Sequence, residues 1–195
     1  MNDEQRDVLE DQIGPAAVAC EREAGCPAEL TAAQAILESG WLDNAPENNC
    51  FGIKAHASVA GRQLLTTTEW FTDQEAAAFL ARGDERVAEP VDPPQVHGTR
   101  KKYRVKDWFA AYPDLAACFA DHARVLQAPV YAPTWTRYRQ DGDLEAFIRG
   151  IAAHYATDPG YADTILRLAR DATVAAAIAA SRGNPAAASG AGTQA

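Results

Sequence analysis

Few side chains in this 195-residue sequence stand where they could do acid–base work, and Glu38 is the first. It sits in the run Ala33-Gln34-Ala35-Ile36-Leu37-Glu38-Ser39-Gly40-Trp41. Leu30, Ala33, Ile36 and Leu37 recur at helical spacing, so the carboxylate falls at the end of a helix that Gly40 should stop. There it faces the negative end of the helix dipole beside apolar neighbours, and both effects favour its protonated form. A retained proton is what a general acid needs to protonate a leaving glycosidic oxygen. From position alone, a solvated glutamate at a fraying helix end is the simpler reading.

The other reactive side chains are scattered. His56, His97, His122 and His154 show no spacing of a metal site or catalytic triad and read as structural or solvent-exposed. Cysteines at 20, 26, 50 and 118 form neither CxxC pairs nor a zinc pattern, so no metal is expected. They are compatible with one or two disulfides in an oxidising compartment and equally with buried free thiols. The run Arg100-Lys101-Lys102-Tyr103-Arg104 reads as a solvated edge or as a contact surface for an acidic substrate.

These residues need a scaffold, and the composition, 47% hydrophobic and 23% charged, suits one globular domain. A net charge of −9 makes nucleic acid a poor partner. No apolar stretch reaches membrane-spanning length, so no membrane insertion is expected. The polar start MNDEQRDVLEDQ does not read as a secretion signal, which implies another export route or a processed form if the substrate lies outside the cell.

Helical periodicity predicts a helix from Glu4 to about Ala24, kinked or divided at Gly14-Pro15, and a second through Ala28–Glu38. Residues 42 to 62 read as loop, Gln63–Phe71 as a strand, and Asp73–Arg82 as a short helix. Asp84–Gly98 reads as a long irregular loop, and Tyr103–Trp108 as a strand returning to pair with 64–70. Helices follow from Pro113-Asp114, from Asp143 as N-cap, and from Asp158-Pro159 through Tyr161, Ile165 and Leu168. Beyond that, 182–195 reads as a flexible low-complexity tail.

The text around Glu38 adds to this. Together with Asn48-Asn49-Cys50-Phe51-Gly52-Ile53-Lys54-Ala55, it resembles the signature of the glucosaminidase family, glycoside hydrolase family 73. Further blocks follow in the family's order: Thr66-Thr67-Thr68-Glu69-Trp70, then Phe109, Tyr112-Pro113 and Asp121-His122, then Tyr155-Ala156-Thr157-Asp158-Pro159-Gly160-Tyr161-Ala162. The resemblance covers roughly residues 8 to 170. It implies a mainly α, lysozyme-like α+β fold, with a helical lobe and a small β-hairpin lobe flanking a substrate groove. The catalytic domain would be 1–181, with its β-lobe at about 50–109.

The resemblance also implies Glu38 as catalytic acid, Glu69 as the second carboxylate of some members and Tyr155 as a site aromatic. Trp41, Asn48, Asn49, Phe51, Gly52, Lys54 and Tyr161 would contact substrate; aromatics take a sugar's ring face and amides its hydroxyls. Phe51, Tyr155 and the asparagines can equally serve packing and turns. The implied activity is an endo-β-N-acetylglucosaminidase on peptidoglycan glycan strands, acting in the periplasm or outside the cell, as a monomer and without cofactor. Lytic transglycosylase or muramidase-like cleavage, or a non-catalytic wall-binding module, are the alternatives. Either Glu69 activates water or the substrate's own 2-acetamido group attacks, with Glu38 needed in both. The chain departs from the family at Leu42, where glycine is usual, at Cys50 for leucine and at Ala110 for arginine. Its segment between Glu69 and Phe109 is also longer than typical.

Overall fold

In the computed structural model, residues 1–156 and 158–184 are described; Thr157 of the YATDP motif and residues 185–195 of the expected tail lie outside them. The chain forms two compact units, Met1–Phe51 with Tyr112–Ala195, and Gly52–Ala111.

The first unit is helical. α1 (Asp3–Val8) starts at an Asn2–Gln5 capping box and runs through a π-helical turn, Leu9–Ile13, into α2 (Gly14–Ala24). The π turn is how the chain absorbs Pro15. A proline crowds the carbonyl four residues back and offers no N–H, and the wider turn lets Gly14 N–H reach Leu9 O. The helix therefore stays continuous where a kink was expected. A Cβ on Gly14 would lie 2.9 Å from both Leu9 O and Ser181 Oγ, so only glycine permits this approach to Ser181.

α3 (Ala28–Ser39) ends at Gly40 in the left-handed conformation, as its sequence predicts. α5 (Leu115–Leu126) and α7 (Leu144–Tyr155) start at Asp114 and Asp143, each accepting a backbone N–H; α6 (Ala132–Asp141) lies between them. The helix expected at Asp158-Pro159 begins later, as α8 (Tyr161–Ala169), because Asp158 Oδ1 takes the Gly160 N–H into a turn. It is also not the last, since Asp171 caps a separate α9 (Ala172–Gly183). Arg182, read as the start of the tail, instead belongs to α9 and forks onto Glu21 and Glu29 at 2.7 Å. α2 packs on α5 and α9, and α3 on α8, around a core that includes Leu9, Ile13, Leu30, Phe119, Phe147 and Ile165.

The second unit is a sheet with one helix. β1 (Gly61–Phe71) pairs antiparallel with β4 (Arg100–Ala111), Leu64 opposite Trp108 and Glu69 opposite Tyr103. The stretch expected to be an irregular loop, 84–98, instead contributes β2 (Val87–Pro90) and β3 (Val96–His97), both pairing with β4. Prolines obscured them, but a proline is tolerated where a strand has a free edge. α4 (Asp73–Leu80), opened by a Thr72–Glu75 capping box, buries Ala76 and Phe79 against Tyr103 and Val105.

Candidate active site

α3 carries two polar residues one turn apart on one face, Gln34 and Glu38. Gln34 is fully buried and Glu38 is exposed. The Tyr161 hydroxyl lies between them at the start of α8, donating to Glu38 Oε1 at 2.9 Å and accepting from Gln34 Nε2 at 3.1 Å. Tyr155, at the end of α7, stacks on Tyr161 with ring centroids 5.6 Å apart, and its hydroxyl shares a 3.3 Å hydrogen bond with His122 Nε2. Burial raises the pKa of both tyrosines, and the charge of Glu38 adds to it, so both remain phenols. Burial has the opposite effect on His122, lowering it to about 3, so its imidazole is neutral.

The chain leaves Glu38 through a left-handed turn in which Gly40, Trp41 and Leu42 have φ of 60°, 65° and 72°. Buried Ser39 braces this turn, its Oγ donating to Ala35 O at 2.6 Å and accepting from Leu42 N–H at 2.9 Å. Trp41 is thereby held half-buried immediately after the α3 C-terminus. The unusual Leu42 now has a physical meaning: the backbone takes the conformation that glycine adopts freely, at a cost of about 1–3 kcal/mol for a side-chain-bearing residue.

The Asn48–Phe51 segment holds itself in place. Asn48 Nδ2 donates to Tyr112 O at 2.9 Å, Tyr112 N–H donates to Glu47 O at 2.9 Å, and Asn49 is buried. Phe51 lies flat on His122 with centroids 3.7 Å apart and meets Phe119 edge-on. Of the expected substrate contacts, Asn48 and Phe51 thus bind other parts of their own unit. All four cysteines are buried free thiols, Cys50 and Cys118 with their sulfurs 3.5 Å apart.

Glu69, Gly52 and Lys54 belong to the second unit. Lys54 Nζ is 2.9 Å from Asp107 and 3.4 Å from Glu69, and it sits 3.9 Å over the Phe109 ring. Burial alone would raise the Asp107 carboxyl, but hydrogen bonds from Lys54 and Arg86 outweigh it and hold the group below the usual range. Gly52 has φ 62°, and a Cβ there would meet nothing, so the turn requires glycine rather than the space around it. In the basic run, Arg100, Lys101 and Arg104 are paired with Glu75, Asp73 and Glu89 at 2.8–2.9 Å. Much of the expected acidic-substrate surface is therefore already neutralised.

Within the first unit the structure joins Glu38, Tyr155 and Tyr161, all expected from sequence, with Gln34 and His122, which were not read as functional. The signal for Gln34 was present: the helix's one amide, four residues before Glu38 and flanked by Ala33 and Ala35.

The profile of a family described as Glucosaminidase: Mannosyl-glycoprotein endo-beta-N-acetylglucosaminidase matches residues 14–173. The peptidoglycan hydrolase FlgJ of Vibrio parahaemolyticus is 34% identical over 152 residues, covering 74% of this chain and 40% of that protein. A C-terminally truncated glycoside hydrolase domain of Salmonella typhimurium FlgJ superposes with a TM-score of 0.51 at 26% identity, covering 85% of this chain and 95% of that one. The catalytic domain of the autolysin Auto from Listeria monocytogenes has the same mainly α, lysozyme-like fold, with a TM-score of 0.63 at 20% identity and coverage of 91% and 89%. The chain spans about two fifths of the length of the curated FlgJ relatives it matches.

Proposed function

The chain belongs to the glucosaminidase family, and from that premise we propose that it hydrolyses peptidoglycan glycan strands. The bond cut is the β-1,4 link between N-acetylglucosamine and N-acetylmuramic acid, with Glu38 as general acid. The observation that carries this reading is the setting of Glu38: an exposed carboxyl at the end of α3 with Oε1 held at 2.9 Å by a buried phenol. A donor fixed on Oε1 leaves Oε2 as the oxygen that carries the proton to the leaving group. Tyr155 backs Tyr161 by stacking, and the half-buried Trp41 directly after α3 is the candidate aromatic partner for a sugar ring.

Glu69 is the candidate general base, and its carboxylate lies 3.4 Å from the Lys54 ammonium. The site of action is the cell wall, outside the cytoplasmic membrane. Zymography on peptidoglycan-loaded gels tests the reading: wild type is expected to clear the gel and Glu38→Gln to leave it opaque. Clearing by Glu38→Gln would remove Glu38 from the mechanism.

A further inference from the structure

Gln34 poses a question that stability does not answer. Its side chain is fully buried on α3 between Ala33 and Ala35, both fully buried. Its amide makes one hydrogen bond, from Nε2 to Tyr161 Oη, and among the described residues Oε1 is buried without a partner. A buried unsatisfied acceptor costs about 1–3 kcal/mol, whereas an apolar side chain of the same shape costs nothing comparable. Methionine would fill the space at least as well.

The single bond has a direction, and that direction matters one step further along. The NH₂ of a glutamine can only donate. Tyr161 Oη therefore accepts from Gln34, and its one proton is left for Glu38 Oε1, 2.9 Å away. Burial keeps Tyr161 a phenol, so the proton is always present. A Tyr161 lacking this partner is free to rotate its proton away from the carboxylate.

Resting on the reading of Glu38 as the acid, we propose that Gln34 is a positioning residue for catalysis: it fixes the polarity of the chain Gln34→Tyr161→Glu38, so that Oε1 is permanently an acceptor and the transferable proton is confined to Oε2. Gln34 touches no substrate and acts only through Tyr161.

The test is a double-mutant cycle on peptidoglycan hydrolysis with Gln34→Met and Tyr161→Phe. Gln34→Met is expected to match or exceed wild type in melting temperature, to lose about fivefold to tenfold in kcat, as one directed hydrogen bond implies, and to keep KM. In the Tyr161→Phe background the same change is expected to alter kcat less than twofold. An unchanged kcat in Gln34→Met or a loss that persists in full without the Tyr161 hydroxyl overturns the inference. A wild type that releases no products instead defeats the glycosidase reading. In that case the NMR resonance of the Tyr161 hydroxyl proton still decides on Gln34: it is expected to shift and broaden in Gln34→Met, and an unmoved resonance counts against the fixed polarity.

Discussion

Glu38, at the end of α3, takes its hydrogen bond from the neutral hydroxyl of Tyr161, whereas Glu69, on β1, faces the ammonium of Lys54 at 3.4 Å. One contact comes from a neutral phenol and touches a single carboxyl oxygen, Oε1. The other contact is an ion pair, and it is shared, since the same ammonium lies 2.9 Å from Asp107. The helical unit surrounds its carboxyl with the neutral side chains of Tyr161 and Gln34, and the sheet unit places its own beside Lys54, which also pairs with Asp107. On the proposed reading the first is the acid and the second the base.

The sharpest way to break this comparison is Glu69→Gln. As the general base, Glu69 should account for about a hundredfold of the rate. Retention of most activity in a steady-state assay would assign the attack to the 2-acetamido group of the substrate and leave Glu38 as the sole essential carboxylate. Lys54→Met is the milder version, expected to cost about tenfold in kcat by removing the cation from Glu69. An effect on KM alone would make Lys54 a substrate contact, as its place in the family motif implied.

The neutral side of the comparison has a pH signature. His122 titrates at about 3 in the fold and near 6.5 when unfolded, so between these values the unfolded chain binds a proton that the native one does not. Its contribution is fully present above 6.5 and is lost as pH falls toward 3, at up to about 1.4 kcal/mol per pH unit. Urea melts from pH 7 to 4 should show this slope, and His122→Gln should flatten it. The smallest effect concerns the turn after Glu38: Leu42→Gly should raise stability by about 1 kcal/mol by relieving φ 72°, and a lower melting temperature would show that the Leu42 side chain earns its place by packing.

Much of the scaffold was legible because it is written locally. Gly40 stops α3, Asp114 and Asp143 cap α5 and α7, and the alternating run after Gly61 pairs with the one before Tyr112. The π turn before Pro15 and the edge strands among Pro90, Pro93 and Pro94 were not legible, since proline marks a break locally while a register shift or a sheet edge accommodates it in three dimensions. In the candidate site, Tyr155 and Tyr161 came from the resemblance to the glucosaminidase family, and Glu38 from that resemblance together with its place at a helix end. The inward packing of Phe51 and the amide of Gln34 beneath Tyr161 depend on contacts 71 and 127 residues apart in sequence, beyond the reach of any local pattern.

Mass analysis of the muropeptides released from purified peptidoglycan by wild type and by Glu38→Gln tests the central claim most directly. Wild type is expected to release fragments with a reducing N-acetylglucosamine end, and the variant none. Fragments ending in anhydro-muramic acid or in reducing N-acetylmuramic acid, or equal release by Glu38→Gln, would contradict it.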